Sequence, residues 1–301
     1  MKIGLHIPQV GPAARHDVIG PFARGAEEAG FDSLWVFDHV VLQREQESKY
    51  PYSPDGKMGF NPQLDFLEPL TLLTYLSGIT SRVDLGTSVL VVPMRHPVLH
   101  AKILATMDRL SGGRIILGAG VGWWRQEYEV LNVPFERRGK RMDEALQLMQ
   151  SLWSDEWVDF RGEFYEAVDW TSNPKPAPGG IRLWLGGESR QQLERVGKFA
   201  DGWLATAKSI ATLDNDLRIA RDAAEKAGRD PSRILVAIEG AGAIGSDNGA
   251  QMAEQLAALA ARGVSHAICL VHPREVANAP DVIARFGADH LPGLHALGAG
   301  G

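Results

Sequence analysis

An adjacent acid and histidine, Asp38 and His39, are the residues whose types most clearly suggest chemistry. They follow the apolar segment Asp32–Phe37 and precede the longest irregular stretch of the chain, residues 40–65. A carboxylate can hold a neighbouring imidazole, and an imidazole that faces a ligand can transfer a proton near neutral pH. We therefore interpret His39 as an acid–base residue rather than as a helix cap or a structural histidine.

Two further apolar segments end in residues that a plain connector would not need. Val83–Leu90 contains Ser88-Val89 near its end, and Arg114–Leu117 leads into Gly118-Ala119-Gly120-Val121-Gly122-Trp123. Glycines let a backbone approach a ligand closely, and ligands of α/β folds gather at the carboxyl ends of parallel strands. These two segments are interpreted as half of a cofactor site, with Trp123 stacking on the ligand.

A third candidate, Gly186-Gly187-Glu188-Ser189, follows an apolar segment and opens a predicted helix. Free backbone N–H groups and the helix dipole make such a turn an anion site. The same residues also suit a tight turn in which Ser189 caps the helix. The two interpretations are compatible, because a capped helix start can also hold a phosphate group.

The elements that must position these residues alternate along the chain. Apolar segments predict eight strands: Lys2–Pro8, Asp32–Phe37, Val83–Leu90, Arg114–Leu117, Arg182–Leu185, Gly202–Thr206, Arg233–Glu239 and His266–Val271. Apolar spacing and helix-terminating glycines predict a helix after each of them. This alternation and the length of 301 residues favour a (β/α)8 TIM barrel. A doubly wound sheet is the alternative, because both folds use right-handed β-α-β units.

Two additions to the barrel are expected. Residues 40–65, after the second strand, are an insertion predicted to close over the substrate, with Tyr50 and Tyr52 within it. Residues 156–166 follow the fourth helix and are predicted to form a small hairpin that turns at Arg161-Gly162.

A single barrel domain is predicted over residues 1–290, since no internal repeat or linker interrupts the alternation. The last helix is expected within Arg274–Phe286. Residues 291–301 are rich in Gly and Ala and are expected to form a flexible tail.

Composition restricts the possible partners. The formal charge of -6 and the pI of about 5.9 do not favour nucleic acid or an anionic membrane surface. No apolar run reaches the length of a membrane span, and early Pro and Gly residues disfavour a signal peptide. The single cysteine, Cys269, lies in an apolar run and is expected in the core. A cytoplasmic protein acting on a small molecule is expected.

Three further motifs match known sites only in part. Gly240–Gly245 matches G-x-G-x-x-G, but the following strand ends without the acid that a dinucleotide site requires, so a loop leading to a helix is predicted. His96 and His100 lack the glutamate of H-E-x-x-H, because Pro97 follows His96, and no metal site is expected. His6, in the first strand, is interpreted as a core histidine with its hydrogen bonds satisfied.

Five blocks of the sequence resemble a known family. They are E-E-A-G-F-D-S-L-W-V-F-D-H at 27–39, S-R-V-D-L-G-T-S-V-L-V-V-P-M-R-H-P at 81–97, D-R-L-S-G-G-R-I-I-L-G-A-G-V-G-W at 108–123, P-F-E-R-R-G-K-R-M-D-E at 134–144 and W-L-G-G-E-S-R at 184–190. All resemble the bacterial luciferase-like flavin-dependent superfamily, in the right order over most of residues 1–205. The sequence is most similar to the branch that uses the deazaflavin coenzyme F-420.

The resemblance implies a (β/α)8 barrel, usually dimeric, with the flavin ring at the C-terminal mouth. It assigns Asp38-His39 to an acid–histidine pair that touches the coenzyme, and Ser88-Val89 to a non-proline cis peptide that supports the ring. The remaining cofactor-binding residues that it implies are Gly120, Val121, Gly122 and Trp123 along the ring and ribityl chain, and Gly186, Gly187, Glu188 and Ser189 at the phosphate.

The activity that the resemblance implies is hydride transfer between coenzyme F-420 and a small organic substrate. His39 would move the accompanying proton and Asp38 would orient His39. An FMN-dependent monooxygenase is the main competing hypothesis, because the same phosphate turn would serve it. A flavin-binding protein without catalysis and a barrel enzyme without flavin are also compatible with the sequence. Sugar-phosphate dehydrogenases of this superfamily carry an acid where this chain has Trp123, which argues against a sugar phosphate as substrate.

Overall fold

Eight parallel strands close into a barrel in the computed structural model, which describes residues 1–59 and 61–297. The strand order around the barrel is β3-β2-β1-β11-β10-β9-β8-β5, and β3 pairs with β5 to close it. The strands are β1 Lys2–His6, β2 Ser33–Val36, β3 Asp84–Thr87, β4 Leu90–Val91, β5 Ile115–Gly120, β6 Val158–Arg161, β7 Glu166–Trp170, β8 Arg182–Gly186, β9 Gly202–Thr206, β10 Leu235–Ile244 and β11 His266–Val271. The predicted (β/α)8 barrel is confirmed, and the pairing of β3 with β5 excludes an open, doubly wound sheet.

Helices separate the barrel strands, as the apolar spacing predicts. They are α1 His16–Glu28, α2 Pro69–Ile79, α3 Pro97–Ser111, α4 Arg125–Val130, α5 Arg138–Ser154, α6 Arg190–Phe199, α7 Leu213–Lys226, α8 Gly249–Ala260 and α9 Ala279–Ala296. Sequence signals fix several of their ends: Ser189 caps α6, and Gly112 ends α3 in the left-handed conformation that glycine adopts without strain. No helix in the two described stretches, 1–59 and 61–297, is long and apolar enough to cross a membrane.

The barrel interior is filled by large side chains that form the floor beneath the mouth. Its buried members are Trp35, Ile116, Trp184, Leu204, Ala237 and Ile268. The two indole rings stack with their centroids 5.4 Å apart. Gly4 and Gly86 leave the space that Trp35 occupies, because a Cβ at either position would lie within 2.6 Å of the Trp35 ring. This solid floor confines any ligand to the C-terminal end of the barrel.

The two predicted additions lie where the sequence places them. Residues 40–59 and 61–65 form the insertion after β2, and no helix or long strand is found in these residues. Strands β6 and β7 pair antiparallel as the hairpin after α5. Cys269 is buried in β11, which confirms it as a core residue.

Strand β10 is longer than predicted. The Gly240–Gly245 motif, expected as a loop, instead continues the strand as far as Ile244 through a bulge, with the pairing to β11 shifted between Glu239 and Ala243. Gly240 and Gly242 have φ angles of 65° and 145°, which residues with a side chain adopt only with strain. The glycines therefore form a bulge at the mouth.

The predicted flexible tail from residue 291 is wrong over its first part. Helix α9 runs to Ala296 and buries Leu291 and Leu294, three positions apart on one face. The amino group of Met1 donates a hydrogen bond to the Leu294 carbonyl at 2.7 Å. The last part of the predicted tail, 298–301, lies outside the described residues.

Candidate active site

His39 lies beyond the end of β2 and is held by an acid from a different part of the chain. Its Nδ1 is 3.0 Å from Oε2 of Glu127, which is only 4% exposed. The second carboxylate oxygen of Glu127 accepts backbone N–H groups from Val40 at 2.6 Å and Val41 at 3.4 Å. An ionised carboxylate can only accept hydrogen bonds, so Nδ1 of a neutral His39 carries the proton and Nε2 carries the lone pair. This arrangement makes Nε2 the basic atom of the ring.

Asp38 has a different partner, and its predicted role of orienting His39 is wrong. Its buried carboxylate receives both terminal nitrogens of Arg95, at 2.7 and 2.8 Å, and the backbone N–H of Val91 at 2.8 Å. The bidentate pair ties the end of β2 to β4 and to the turn that follows it. Asp38 thus fixes the backbone on which His39 stands.

Glu127 is the functional residue that the sequence reasoning missed. It lies on α4, a helix of six residues that follows the glycine-rich loop. A helix this short shows too little apolar periodicity to be predicted. The available signal was an acid four positions after Trp123, in a loop already assigned to the site.

Aromatic rings surround His39. The rings of Phe66, Trp123 and Trp124 meet it edge to face, with centroids 5.6, 6.1 and 5.7 Å away. Trp123 and Trp124 stack on each other at 5.0 Å, and Tyr50 of the insertion meets Trp123 at 5.1 Å. The surroundings of the imidazole are therefore flat, largely apolar surfaces.

The insertion is anchored on two sides of the mouth. On one side, Ser48 donates a hydrogen bond to Oε1 of Gln126 at 2.8 Å and accepts one from the backbone N–H of Arg125 at 3.2 Å. At a second point, Lys208, which follows β9, donates to the Pro51 carbonyl at 3.3 Å. The insertion begins after β2, so residues 48–51 reach elements on the far side of the barrel end from β2.

Val89 is the centre of a cradle made by three strand ends. The Ser88–Val89 peptide bond is cis, and the side chain of Val89 packs on the barrel floor. A Cβ on Gly120 would lie 2.5 Å from one Val89 methyl group, and a Cβ on Gly186 would lie 2.7 Å from the second methyl group. The hydroxyl of Ser88 is buried and has no hydrogen-bond partner within residues 1–59 and 61–297. Only glycine fits at 120 and 186 while Val89 keeps this position.

The loop after β5 continues this surface. Gly122 has a φ of 67°, and a Cβ there would lie 2.6 Å from Val91. Its carbonyl accepts a hydrogen bond from Nε of Arg138 at 3.1 Å, and the Val121 carbonyl accepts one from the Tyr128 hydroxyl at 2.6 Å. These bonds fix the backbone that leads to Trp123.

The turn after β8 is built as a capped helix start. Ser189 accepts the backbone N–H of Gln192 at 3.3 Å, and Gly187 has a φ of 113°. The Glu188 carboxylate accepts hydrogen bonds from the hydroxyls of Thr206 and Ser209. The N-cap interpretation of Ser189 is confirmed, and the phosphate interpretation of the turn stays a prediction.

Comparison with known proteins gives the family. The model of the luciferase-like monooxygenase family matches residues 5–291. The chain belongs to this family. A coenzyme F-420-dependent glucose-6-phosphate dehydrogenase of Amycolatopsis mediterranei is 31% identical over 241 residues, which are 75% of this chain and 67% of that protein.

Two solved structures share the fold of this luciferase-like chain. The monooxygenase RslO1 from Streptomyces bottropensis has a TM-score of 0.75 at 19% identity, covering 98% of this chain and 100% of that one. A coenzyme F-420-dependent secondary alcohol dehydrogenase, in complex with an F-420–acetone adduct, has a TM-score of 0.73 at 19% identity, covering 95% and 97%. At these identities the likeness concerns the fold alone.

The luciferase-like barrel brings most of the predicted site residues to one mouth. We call the rings around His39, those of Phe66, Trp123 and Trp124, the aromatic wall. The residues that lie at the cradle around Val89 or at this wall are Ser88, Val89, Gly120, Val121, Gly122, Trp123 and Gly186. The ring of His39 contacts that of Trp123, whereas the carboxylate of Asp38 is bound by Arg95. Glu188 and Ser189 direct their side chains to partners within the protein. Any ligand at this turn would therefore contact its backbone.

Proposed function

We propose that this luciferase-like protein is a coenzyme F-420-dependent oxidoreductase that transfers hydride between the deazaflavin and a small organic substrate. The observation that carries the proposal is the His39–Glu127 pair within the aromatic wall. An imidazole with its Nδ1 proton held by a carboxylate is suited to accept or donate a proton through Nε2. The relative from Amycolatopsis mediterranei supports the choice of coenzyme.

The residues at the mouth fit a flat, three-ring group. The glycines at 120 and 186 let the backbones of β5 and β8 lie directly against Val89, which stays partly exposed. Val89, with Ser88 and Trp123, would hold the ring, and the backbone of Gly186–Ser189 would hold the phosphate. When bound, the coenzyme supplies a carbon that accepts or returns hydride.

The protein itself would supply proton transfer, orientation and protection from water. In the oxidation of an alcohol to a carbonyl compound, Nε2 of His39 would take the proton from the hydroxyl oxygen, and the bound coenzyme would supply the acceptor for the hydride of the carbon that bears this oxygen. Glu127 keeps the ring oriented and stabilises the imidazolium. The insertion is anchored through Ser48 and Pro51. Together with the indole rings, it would keep water from the reacting atoms.

A homodimer in the cytoplasm is part of the same proposal. The family resemblance supports a dimer, and α2 and α3 carry apolar side chains that are 36–69% exposed: Tyr75, Val98, Leu99 and Leu110. Light scattering should give twice the chain mass of 32.8 kDa. A monomeric mass at micromolar concentration would contradict this part.

Activity is tested by anaerobic incubation with oxidised coenzyme F-420 and a panel of secondary alcohols, following the coenzyme's absorbance. Wild type should reduce the coenzyme with at least one alcohol. His39→Ala should bind F-420 within threefold of wild type and lose about 10²–10⁴-fold in rate, the usual contribution of a general acid–base residue. Incorporation of an oxygen atom from O2 into a substrate with reduced FMN, without any reduction of F-420, would establish the monooxygenase instead.

A further inference from the structure

A second polar pair, His6 and Glu239, lies at the mouth and takes no part in the proposed proton transfer. His6 ends β1 and is 3% exposed. Its Nε2 is 3.7 Å from Oε1 of Glu239, which is beyond hydrogen-bond distance. Neither ring nitrogen has a well-formed hydrogen bond to any residue that the structure describes, so the interpretation of His6 as a satisfied core histidine is wrong. Buried polar groups normally have a hydrogen-bond partner, and a ligand atom at the mouth could supply the one that His6 lacks.

Burial disfavours the charged form of both members of the pair. Burial lowers the pKa of His6 to about 3, although the nearby Trp35 carbonyl group opposes the change. Burial raises the pKa of the Glu239 carboxyl group to about 8. A neutral carboxylic acid and a neutral imidazole each have one donor and at least one acceptor. Together they can bind a hydroxyl or carbonyl oxygen, but they offer no charge to an ion.

Aromatic contacts link the pair to the surroundings of His39. Phe37, two residues before His39, stacks on His6 with the ring centroids 4.2 Å apart. Burial, with the charges of Glu188 and Glu239, raises the pKa of Tyr52 to about 12. Tyr52 meets Tyr50, which meets Trp123 beside His39. The insertion thus connects the two polar sites.

Within the residues that the structure describes, no lysine or arginine forms an ion pair with His6 or Glu239. The one ion-pair contact of Glu239 in the described stretches is with His6. The basic residue that anchors the insertion, Lys208, donates to the Pro51 carbonyl. A phosphate or carboxylate group at this position would therefore lack a counter-charge, and it would have to be desolvated.

We propose that His6 and Glu239 bind a second oxygen of an uncharged substrate, a hydroxyl or a carbonyl group, while the first oxygen reacts at His39. This inference rests on the proposed function. It assigns the substrate to the class of neutral molecules with two oxygens, such as diols and hydroxyketones. Glu239 is then a specificity-determining residue for that class.

The test measures binding to the enzyme with reduced coenzyme F-420, on which alcohols bind without turnover. The probes are cyclohexane-1,4-diol, cyclohexanol and glucose 6-phosphate, measured by titration calorimetry. Wild type should bind the diol at least tenfold more tightly than cyclohexanol, and the sugar phosphate more weakly than the diol. Glu239→Ala should reduce the ratio of the two alcohol affinities to about one.

Two variants control for the shape of the site. Glu239→Gln keeps a donor and an acceptor and should retain the ratio within threefold, whereas a purely structural role would make both substitutions alike. Glu254→Ala removes an exposed acid from α8 and should leave every affinity unchanged. The F-420 dissociation constant of each variant reports whether its barrel is folded.

Three results would overturn the inference while leaving the proposed function in place. The first two are an equal affinity of wild type for the diol and cyclohexanol, and a Glu239→Ala variant that keeps the wild-type ratio with F-420 bound. Tighter binding of glucose 6-phosphate than of the diol would also overturn it. Failure of wild type to bind F-420 would remove the proposed function and this inference together.

Discussion

His39 and Glu127 lie 88 positions apart in the sequence, yet their side chains form the bond that gives the histidine its chemistry. The type and position of His39 could be predicted because it ends a strand before a long loop. Its partner could not, because Glu127 meets it only through the closed barrel and the docking of α4. The neighbouring acid in sequence, Asp38, pairs with Arg95 instead of with His39.

Removing the Glu127 carboxylate should weaken proton transfer without affecting coenzyme binding. In Glu127→Gln, the amide can no longer hold the imidazolium by charge, so we expect the rate of F-420 reduction to fall about 10- to 100-fold. The F-420 dissociation constant should stay within threefold. Glu129→Gln on the same helix, at an exposed position, is the matched control and should behave as wild type. Full activity of Glu127→Gln would refute the role given to this pair.

The Glu239 carboxyl group is 24% exposed, but its raised pKa should make the protein less stable as the pH rises. Its pKa is raised from 4.5 in the unfolded chain to about 8 in the fold. Between these values the unfolded state loses the proton and the folded state keeps it, so the free energy of unfolding falls with increasing pH. Above pH 8 both states are ionised and the loss is complete.

The measurement compares wild type with Glu239→Gln, which cannot ionise. From pH 5.5 to 7.5, the stability of wild type relative to the variant should fall by about 1–2 kcal/mol in urea unfolding. The comparison is needed because His6, with its lowered pKa, shifts stability in the opposite direction in both proteins. Parallel pH profiles of the two proteins would show that the Glu239 carboxyl group is not buried in its neutral form.

The ends of the strands were harder to predict from the sequence than the strands themselves. The apolar cores of the strands were predictable from composition, because strands buried on both faces are continuously hydrophobic. The cis peptide at Ser88-Val89 was predicted from the family resemblance and is present. The bulge in β10 was not predictable, because it depends on what the neighbouring strand places opposite it. The glycines at 120, 186 and 242 lie where a neighbouring side chain leaves no room for a Cβ. The sequence alone does not show which neighbour that is.

Gly120→Ala should disturb the cradle around Val89. Its Cβ would lie 2.5 Å from a Val89 methyl group, so either Val89 moves or the strand shifts. We expect a loss of about 1–3 kcal/mol in the free energy of unfolding, typical of overpacking. We also expect at least a tenfold weaker affinity for F-420. Both quantities are measured by urea unfolding and fluorescence titration.

Gly293→Ala is the matched control for Gly120→Ala. Position 293 lies in α9, and an added Cβ there has no neighbour within 4 Å. Alanine should leave F-420 affinity unchanged and should stabilise the helix by up to about 1 kcal/mol. Equal effects of the two substitutions on F-420 binding would contradict the assignment of the cradle.

The whole molecule is closed by contact between the two ends of the described chain. Helix α9 packs against α1, and its Leu291 and Leu294 are buried near the first strand. The prediction of a tail over these residues failed because the Gly and Ala content of the whole segment hid two leucines on one helical face. The barrel and its eight strands were predictable, since alternation and length are global properties, but the position where the last helix ends was not.

Leu294→Ala should therefore destabilise the protein far more than a change one turn later. Leu294 is 3% exposed, and truncating a buried leucine costs about 2–5 kcal/mol. Leu297 is 52% exposed, and Leu297→Ala should lie within about 0.5 kcal/mol of wild type. Thermal unfolding of the three proteins checks this expectation. A neutral Leu294→Ala would show that residues 291–296 do not pack on the barrel in solution.

Titration of the coenzyme-free protein with F-420 and with FMN, side by side, tests the central claim most directly. The chain has eight tryptophans, and Trp123 and Trp124 line the mouth, so bound coenzyme should quench their fluorescence. We predict micromolar binding of F-420 and at least tenfold weaker binding of FMN. Tighter binding of FMN would contradict hydride transfer by a deazaflavin and would favour oxygen chemistry.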